Sequence, residues 1–187
     1  MARVGSGLAA DRSAAVIIMA LTAAAAAVAA PVSSARIPGA TRAQVPSSLR
    51  SSPELWATID VCNPPDQHDT VGIRGSMPSD GQAHDTMFMR FRLQHIDATL
   101  KRWVDLANAA SGFLPVGPAR TARQAGRSFV LFPPSGGSAF TLRGVVSFQW
   151  RRGAKVLATI TRATKAGHQS LAGADPKNFS AATCRIR

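Results

Sequence analysis

From residue 55 onward, apolar side chains return at every second position. Leu55, Ala57, Ile59 and Val61 alternate with Trp56, Thr58, Asp60 and Cys62, the pattern of a strand whose two faces are both partly covered. In residues 87–96, Met87, Met89, Phe91 and Leu93 share one face and Arg90, Arg92 and Gln94 the other, as in a strand with one side in a core and one in solvent. The clearest element is 140–150: Phe140, Leu142, Gly144, Val146, Phe148 and Trp150 fall on one side, and Thr141, Arg143, Val145, Ser147 and Gln149 on the other. Arg151-Arg152-Gly153-Ala154 interrupts that pattern and 155–161 resumes it, so the two segments read as a hairpin. Weaker alternation marks strands at 71–76, 102–107, 119–123, 127–132 and 181–186. Turn residues separate them, as in Asn63-Pro-Pro-Asp66, Pro78-Ser-Asp-Gly81 and Pro133-Pro-Ser-Gly-Gly137. No stretch of helical length carries a 3.6-residue period, although 97–110 allows a turn or two of helix and Asp175-Pro176 is suited to cap a short one.

Short strands at regular intervals imply an all-β sandwich or barrel. The sandwich is the better fit, because a bridge between the first and last strands can pin a Greek-key domain shut where its ends would fray. The expectation is a single immunoglobulin-like β-sandwich of about seven to nine antiparallel strands over 54–187. The phrase Phe148-Gln-Trp-Arg-Arg-Gly-Ala-Lys-Val156 resembles the hairpins of immunoglobulin-like and fibronectin type III-like extracellular domains. The wider pattern, with Gly72-Ile-Arg-Gly-Ser-Met-Pro78, Met87-Phe-Met-Arg-Phe-Arg92 and Ser180-Ala-Ala-Thr-Cys184, looks like that of secreted actinobacterial proteins. This resemblance implies fold and compartment, since its motifs are turns and strands without catalytic signatures. It also departs from the family: Cys62 and Cys184 sit at the ends of the domain, not beneath a central tryptophan.

The amino terminus reads differently. Residues 1–13 carry Arg3 and Arg12 against Asp11, an uncharged apolar run fills 14–30, and Pro31-Val-Ser-Ser-Ala35 follows. This is the three-part layout of a secretory signal peptide, and the run falls short of the roughly 20 apolar residues that span a bilayer. Cleavage after Ala35 places Ser33 and Ala35 at the small-residue positions, whereas cleavage after Ala30 would leave Pro31 first. Residues 36–53, with three prolines and no apolar period, read as a flexible lead-in. Export to an oxidising compartment decides how the two cysteines are read, because Cys62 and Cys184 then allow one intramolecular disulfide.

Charge changes the picture less than its size suggests. Lys+Arg number 22 against 10 Asp+Glu, a formal net charge of +12. Eighteen of the cations are arginine and Glu54 is the sole glutamate, a skew that partly reflects a GC-rich coding bias. Arg90, Arg92 and Arg143 point to one outer face and Arg151-Arg152 lies at its turn, so neighbouring strands would form a basic stripe suited to phosphate- or carboxylate-rich polymers. The plain alternative is a solvated face whose charges discourage edge association.

Other constellations are weaker. His68-Asp69-Thr70 and His84-Asp85-Thr86 repeat one tripeptide, and His-Asp pairs can serve metal binding or acid-base work. Neither copy has the spacing that sets two ligands on one face, and a turn entering a strand uses the same residues to bond backbone amides. No G-x-S-x-G, S-x-x-K or paired-glutamate pattern occurs, and the glycine-rich stretches lack a phosphate-loop context. Trp56, Trp103 and Trp150 suggest sugar stacking, although Trp150 belongs to a core face and Trp103 alone reads as an exposed contact. The reading is a secreted, non-catalytic, monomeric module without metal or cofactor. Its expected partners are anionic cell-wall polymers, lipid headgroups or a protein. Nucleic acid is not expected, because the chain is exported and carries no recognised nucleic-acid motif. The alternatives are a metal-dependent or hydrolytic enzyme using the His-Asp pairs, and a carbohydrate-binding module using Trp103.

Overall fold

The alternating segments form nine strands, in a computed structural model that describes residues 45–132, 139–169 and 171–187. They are β1 (Trp56–Cys62), β2 (Thr70–Met77), β3 (Thr86–Asp97), β4 (Arg102–Ala110), β5 (Leu114–Pro118), β6 (Arg123–Val130), β7 (Phe140–Arg152), β8 (Lys155–Ala163) and β9 (Cys184–Ile186). A five-residue helix, α1 (Ser47–Ser51), precedes them. Every pairing between these strands is antiparallel. A small sheet has the order β1-β2-β6, and a larger one is built on β3 and β7 with β4 and β8 outside them. The result is an all-β, open sandwich, and its elements all fall within the unit Thr41–Arg187.

The two long central strands of the large sheet are each flanked by a broken edge. Along β3, β5 pairs with Thr86 to Met89 and β4 with Arg92 to Asp97. Along β7, β8 covers Val145 to Arg152 and β9 covers Phe140 to Leu142. The interruptions differ in use. In β4 the ladder jumps from Asp105 to Ala110 while β3 advances only from Gln94 to Arg92, so Leu106 to Ala109 bulge out, with Asn108 at φ 59. Between β8 and β9 the chain instead travels out to the small sheet. Lys165 N donates to Ala57 O, Asp175 N to Asp60 O, and Ala181 exchanges both backbone bonds with Ile59. That excursion straps the outer edge of β1, and a disulfide from Cys62 on β1 to Cys184 on β9 fastens the same side. The opposite side, where β6 of the small sheet stands across from the β4 bulge, has no such strap among the described residues.

The core follows from the alternation. Val71, Ile73 and Met77 of β2 pack between the sheets with Met87, Met89, Phe91 and Leu93 of β3 and with Leu142, Val146, Phe148 and Trp150 of β7, all at 0% exposure. Burial of these side chains is the main force holding the sheets together, at about 1.5 to 3 kcal/mol each for full burial. Trp150 also needs a partner for its indole N–H, which donates to Pro78 O at 3.1 Å. Gly144 is required by proximity: a Cβ there would stand 2.7 Å from Thr164 Cγ2 and 2.9 Å from Ile73. The close approach lets Ile73 seat over β7.

Several expectations change. The lead-in is anchored before residue 54, because Leu49 of α1 is buried and Val45 packs on the core. Residues 119–122 do not form a strand; they connect β5, five residues earlier than expected, to β6, which begins at Arg123. Residues 102–110 are extended, not helical, and Asp175-Pro176 is a cis peptide in the strap. The expected signal peptide and the first half of the lead-in, 36–44, lie outside the described residues.

Candidate functional site

The outer face of the large sheet gathers most of the arginines read from the sequence. Cross-strand register sets Phe88 opposite Gln149, Arg90 opposite Ser147, Arg92 opposite Val145 and Gln94 opposite Arg143. Arg151 stands opposite Thr86, eight residues along β3 from the level of Arg143. At a strand rise of about 3.4 Å this is a row of four guanidiniums roughly 27 Å long.

Each end of the row rests on aromatic carbon. The Arg151 guanidinium lies 4.2 Å from the Phe88 ring centre and 4.9 Å from that of Phe113, and its Nε donates to Gln149 Oε1. Arg143 lies 4.5 Å over Trp103 and donates to Gln94 Oε1 at 2.8 Å. Burial against this neighbourhood pushes the Arg143 pKa down from its ordinary value, since desolvation penalises the charged form. In the middle, Arg90 Nε donates to Ser111 O, and Arg92 reaches Asp105 at 2.6 Å. Asp105 also accepts from Gln94, and that bond, with the Arg92 charge, holds its carboxyl below the usual range. The Nε of Arg92 is buried with no acceptor among the described residues. The face is therefore a set of planar cations fixed in place by rings and amides, one of them with a donor unused.

Arg152 does not share this arrangement. Its guanidinium grips Asp85 through Nε at 2.7 Å and Nη2 at 3.0 Å, at the rim of the sheet. Asp85 is 1% exposed, and the bond from Arg152 outweighs burial and keeps its carboxyl below the usual range. Asp80, nearby, is raised by burial and by the Asp85 charge. The second histidine tripeptide is thus part of a structural pair, with His84 exposed. In the first, Asp69 sits in a turn at φ 56 and its N–H donates to Asn63 Oδ1. His168, half-buried, stacks on Trp56 at 4.2 Å, and its pKa is lowered by burial. Among the described residues no three His, Cys, Asp or Glu side chains stand together as a metal site.

The sequence signalled the arginines but not their supports. Gln94, Gln149, Phe113 and Trp103 hold the row, and those contacts depend on cross-strand register and on the loop between β4 and β5. The two cysteines are joined as the sequence allowed.

Comparison with known proteins adds no identity. No family model matches the chain, and no curated protein matches it. Among solved structures it is similar to the alkylpurine DNA glycosylase AlkC of Pseudomonas fluorescens bound to DNA containing an abasic site analog, at 11% identity and a TM-score of 0.32. That likeness covers 58% of this chain and 28% of the glycosylase, so the chain spans little more than a quarter of that protein's length.

Proposed function

We propose that this chain is a secreted, non-catalytic binding module whose outer sheet face engages an anionic polymer of the cell envelope. The observation that carries the reading is the row Arg151, Arg90, Arg92, Arg143, in which the two end cations stack on aromatic rings and a single carboxylate, Asp105, is paired with the row. A solvated face meant only to prevent association needs charge, and flexible lysines would serve. Guanidiniums anchored by neighbouring side chains and spaced along the paired strands β3 and β7 are suited to phosphate or carboxylate groups recurring along a polymer. Long-range attraction from a protein of net charge +12 assists the encounter.

The test is binding to a soluble glycerol-phosphate polymer and to polyglutamate. Affinity should fall steeply from low to high salt, because exposed charges are screened beyond a Debye length of roughly 10 Å at 0.1 M. The combined Arg90→Ala, Arg92→Ala, Arg143→Ala and Arg151→Ala variant should lose most of it, whereas Arg152→Ala, already neutralised by Asp85, should bind as the parent does. Binding that ignores salt but disappears in Trp103→Ala would transfer the face to sugar stacking and end the polymer reading.

A further inference from the structure

The open side of the sandwich holds a cleft of about 670 Å³ between the β4 bulge and β6. That volume lies in the range of small-molecule sites, which are mostly apolar with a few placed polar groups. One wall is the bulge, Leu106 to Ala109. The other is the end of β6 and the two residues after it, including Phe129 and Leu131. The two most exposed large apolar side chains of the described residues, Phe132 at 92% and Val130 at 61%, stand at this same cleft.

Its charged lining is of one sign. The residues of β2 that face the core, Val71 and Ile73, pair with Phe129 and Arg127, so Arg127 projects from the inner face of β6. It forms no ion pair among the described residues. His95, next in alternation after the buried Leu93, comes to the cleft from β3, and among the described residues no carboxylate lines it. An apolar slot with an unpaired cation complements an apolar molecule that ends in an anion. An inserted peptide strand could pair with one wall alone, the edge of β6, because the β4 wall is a bulge and offers no regular ladder of backbone groups.

We propose that this cleft binds a single-chain acyl amphiphile, with the chain between Leu106 and Phe129 and a carboxylate or phosphate head at Arg127 beside His95. The site is separate from the arginine row and does not rest on the polymer reading.

The experiment measures binding to the full chain of alkyl carboxylates of increasing length, matching alkyl phosphates, neutral methyl esters and inorganic phosphate. Affinity should rise about fourfold per methylene until the cleft is filled, from roughly 0.8 kcal/mol per buried CH₂. The esters should bind about tenfold more weakly than the acids. Whether carboxylate or phosphate binds tighter identifies the natural head. Arg127 and Ala107 are both exposed, so their variants keep the fold, which thermal unfolding verifies. Arg127→Ala should bind acid and ester alike, and Ala107→Trp should fill the slot and abolish binding. The four-arginine face variant should bind acyl chains unchanged. The proposal is overturned if affinity is independent of chain length, if inorganic phosphate binds as tightly as its alkyl ester, or if Arg127→Ala keeps the preference for anions. A concentration-dependent dimer dispersed by Ala107→Trp, with no acyl binding, would instead assign the cleft to a second copy and equally overturn it.

Discussion

Asp85 shows how a single residue joins distant parts of this chain. In sequence it belongs to a His-Asp-Thr turn, and such turns usually satisfy their carboxylates on nearby amides. Here the carboxylate is buried and its partner, Arg152, is 67 residues away. No local pattern reports a contact made where two strand ends meet, so this pair was not legible. Its energetic role has a sign. Because the folded pKa of Asp85 is lowered, its contribution to stability is present above the unfolded value of about 4 and is lost as pH falls through the folded pKa. Arg152→Ala leaves a buried carboxylate with fewer donors and should lower stability near neutral pH, modestly because Arg152 itself is largely exposed to solvent screening. The difference from the parent should shrink in acid. Denaturant unfolding over a pH series checks this, and a gap that stays constant from neutral to acid would mean that the charge on Asp85 is irrelevant.

Elements were legible in proportion to their one-sidedness. β3 and β7 each bury one row of large side chains fully and leave most of the other half-buried, so the period of two is written plainly in the chain. β5 was hidden because Pro115 and Pro118 argue against a strand, yet proline is tolerated on an edge where its missing N–H faces no partner. β4 was obscured by its bulge, whose four residues break the alternation. The pairing of sheets against one another is read from a smaller mark. Gly144 looks like an ordinary weak point in a strand, whereas it is the place where Ile73 and Thr164 need the space of a missing Cβ. Gly144→Ala should therefore destabilise by about 1 to 3 kcal/mol through overpacking. Adding Ile73→Val should recover part of the loss. If the two changes add without interaction, the close approach is not what demands glycine.

For the molecule as a whole, the sandwich follows from alternation, and two cysteines allow a single intramolecular pairing. What alternation could not show is that one side of the sandwich is strapped and the other open. Both sides lie at sheet edges, and edge position depends on strand order. The strap has a consequence for how the protein is handled by a cell. The outer backbone of β1 carries Ile59 and its neighbours in an apolar setting, and the returning chain occupies their hydrogen-bonding groups. The disulfide that holds this return closes a loop with a sequence separation of 122, worth about 5 kcal/mol in chain-entropy terms as an upper figure. Synthesis in a reducing cytosol would leave the return tethered by weak contacts alone, and a bared strand is a template for pairing with other copies. Net positive charge slows such encounters without blocking them. The Cys62→Ala, Cys184→Ala variant and the chemically reduced protein should both scatter light and form sheet-rich aggregates under conditions where the oxidised protein stays clear. Reduced protein that remains monomeric would show that the edge is guarded by the strap itself. Solubility would then be independent of the compartment in which the chain was made.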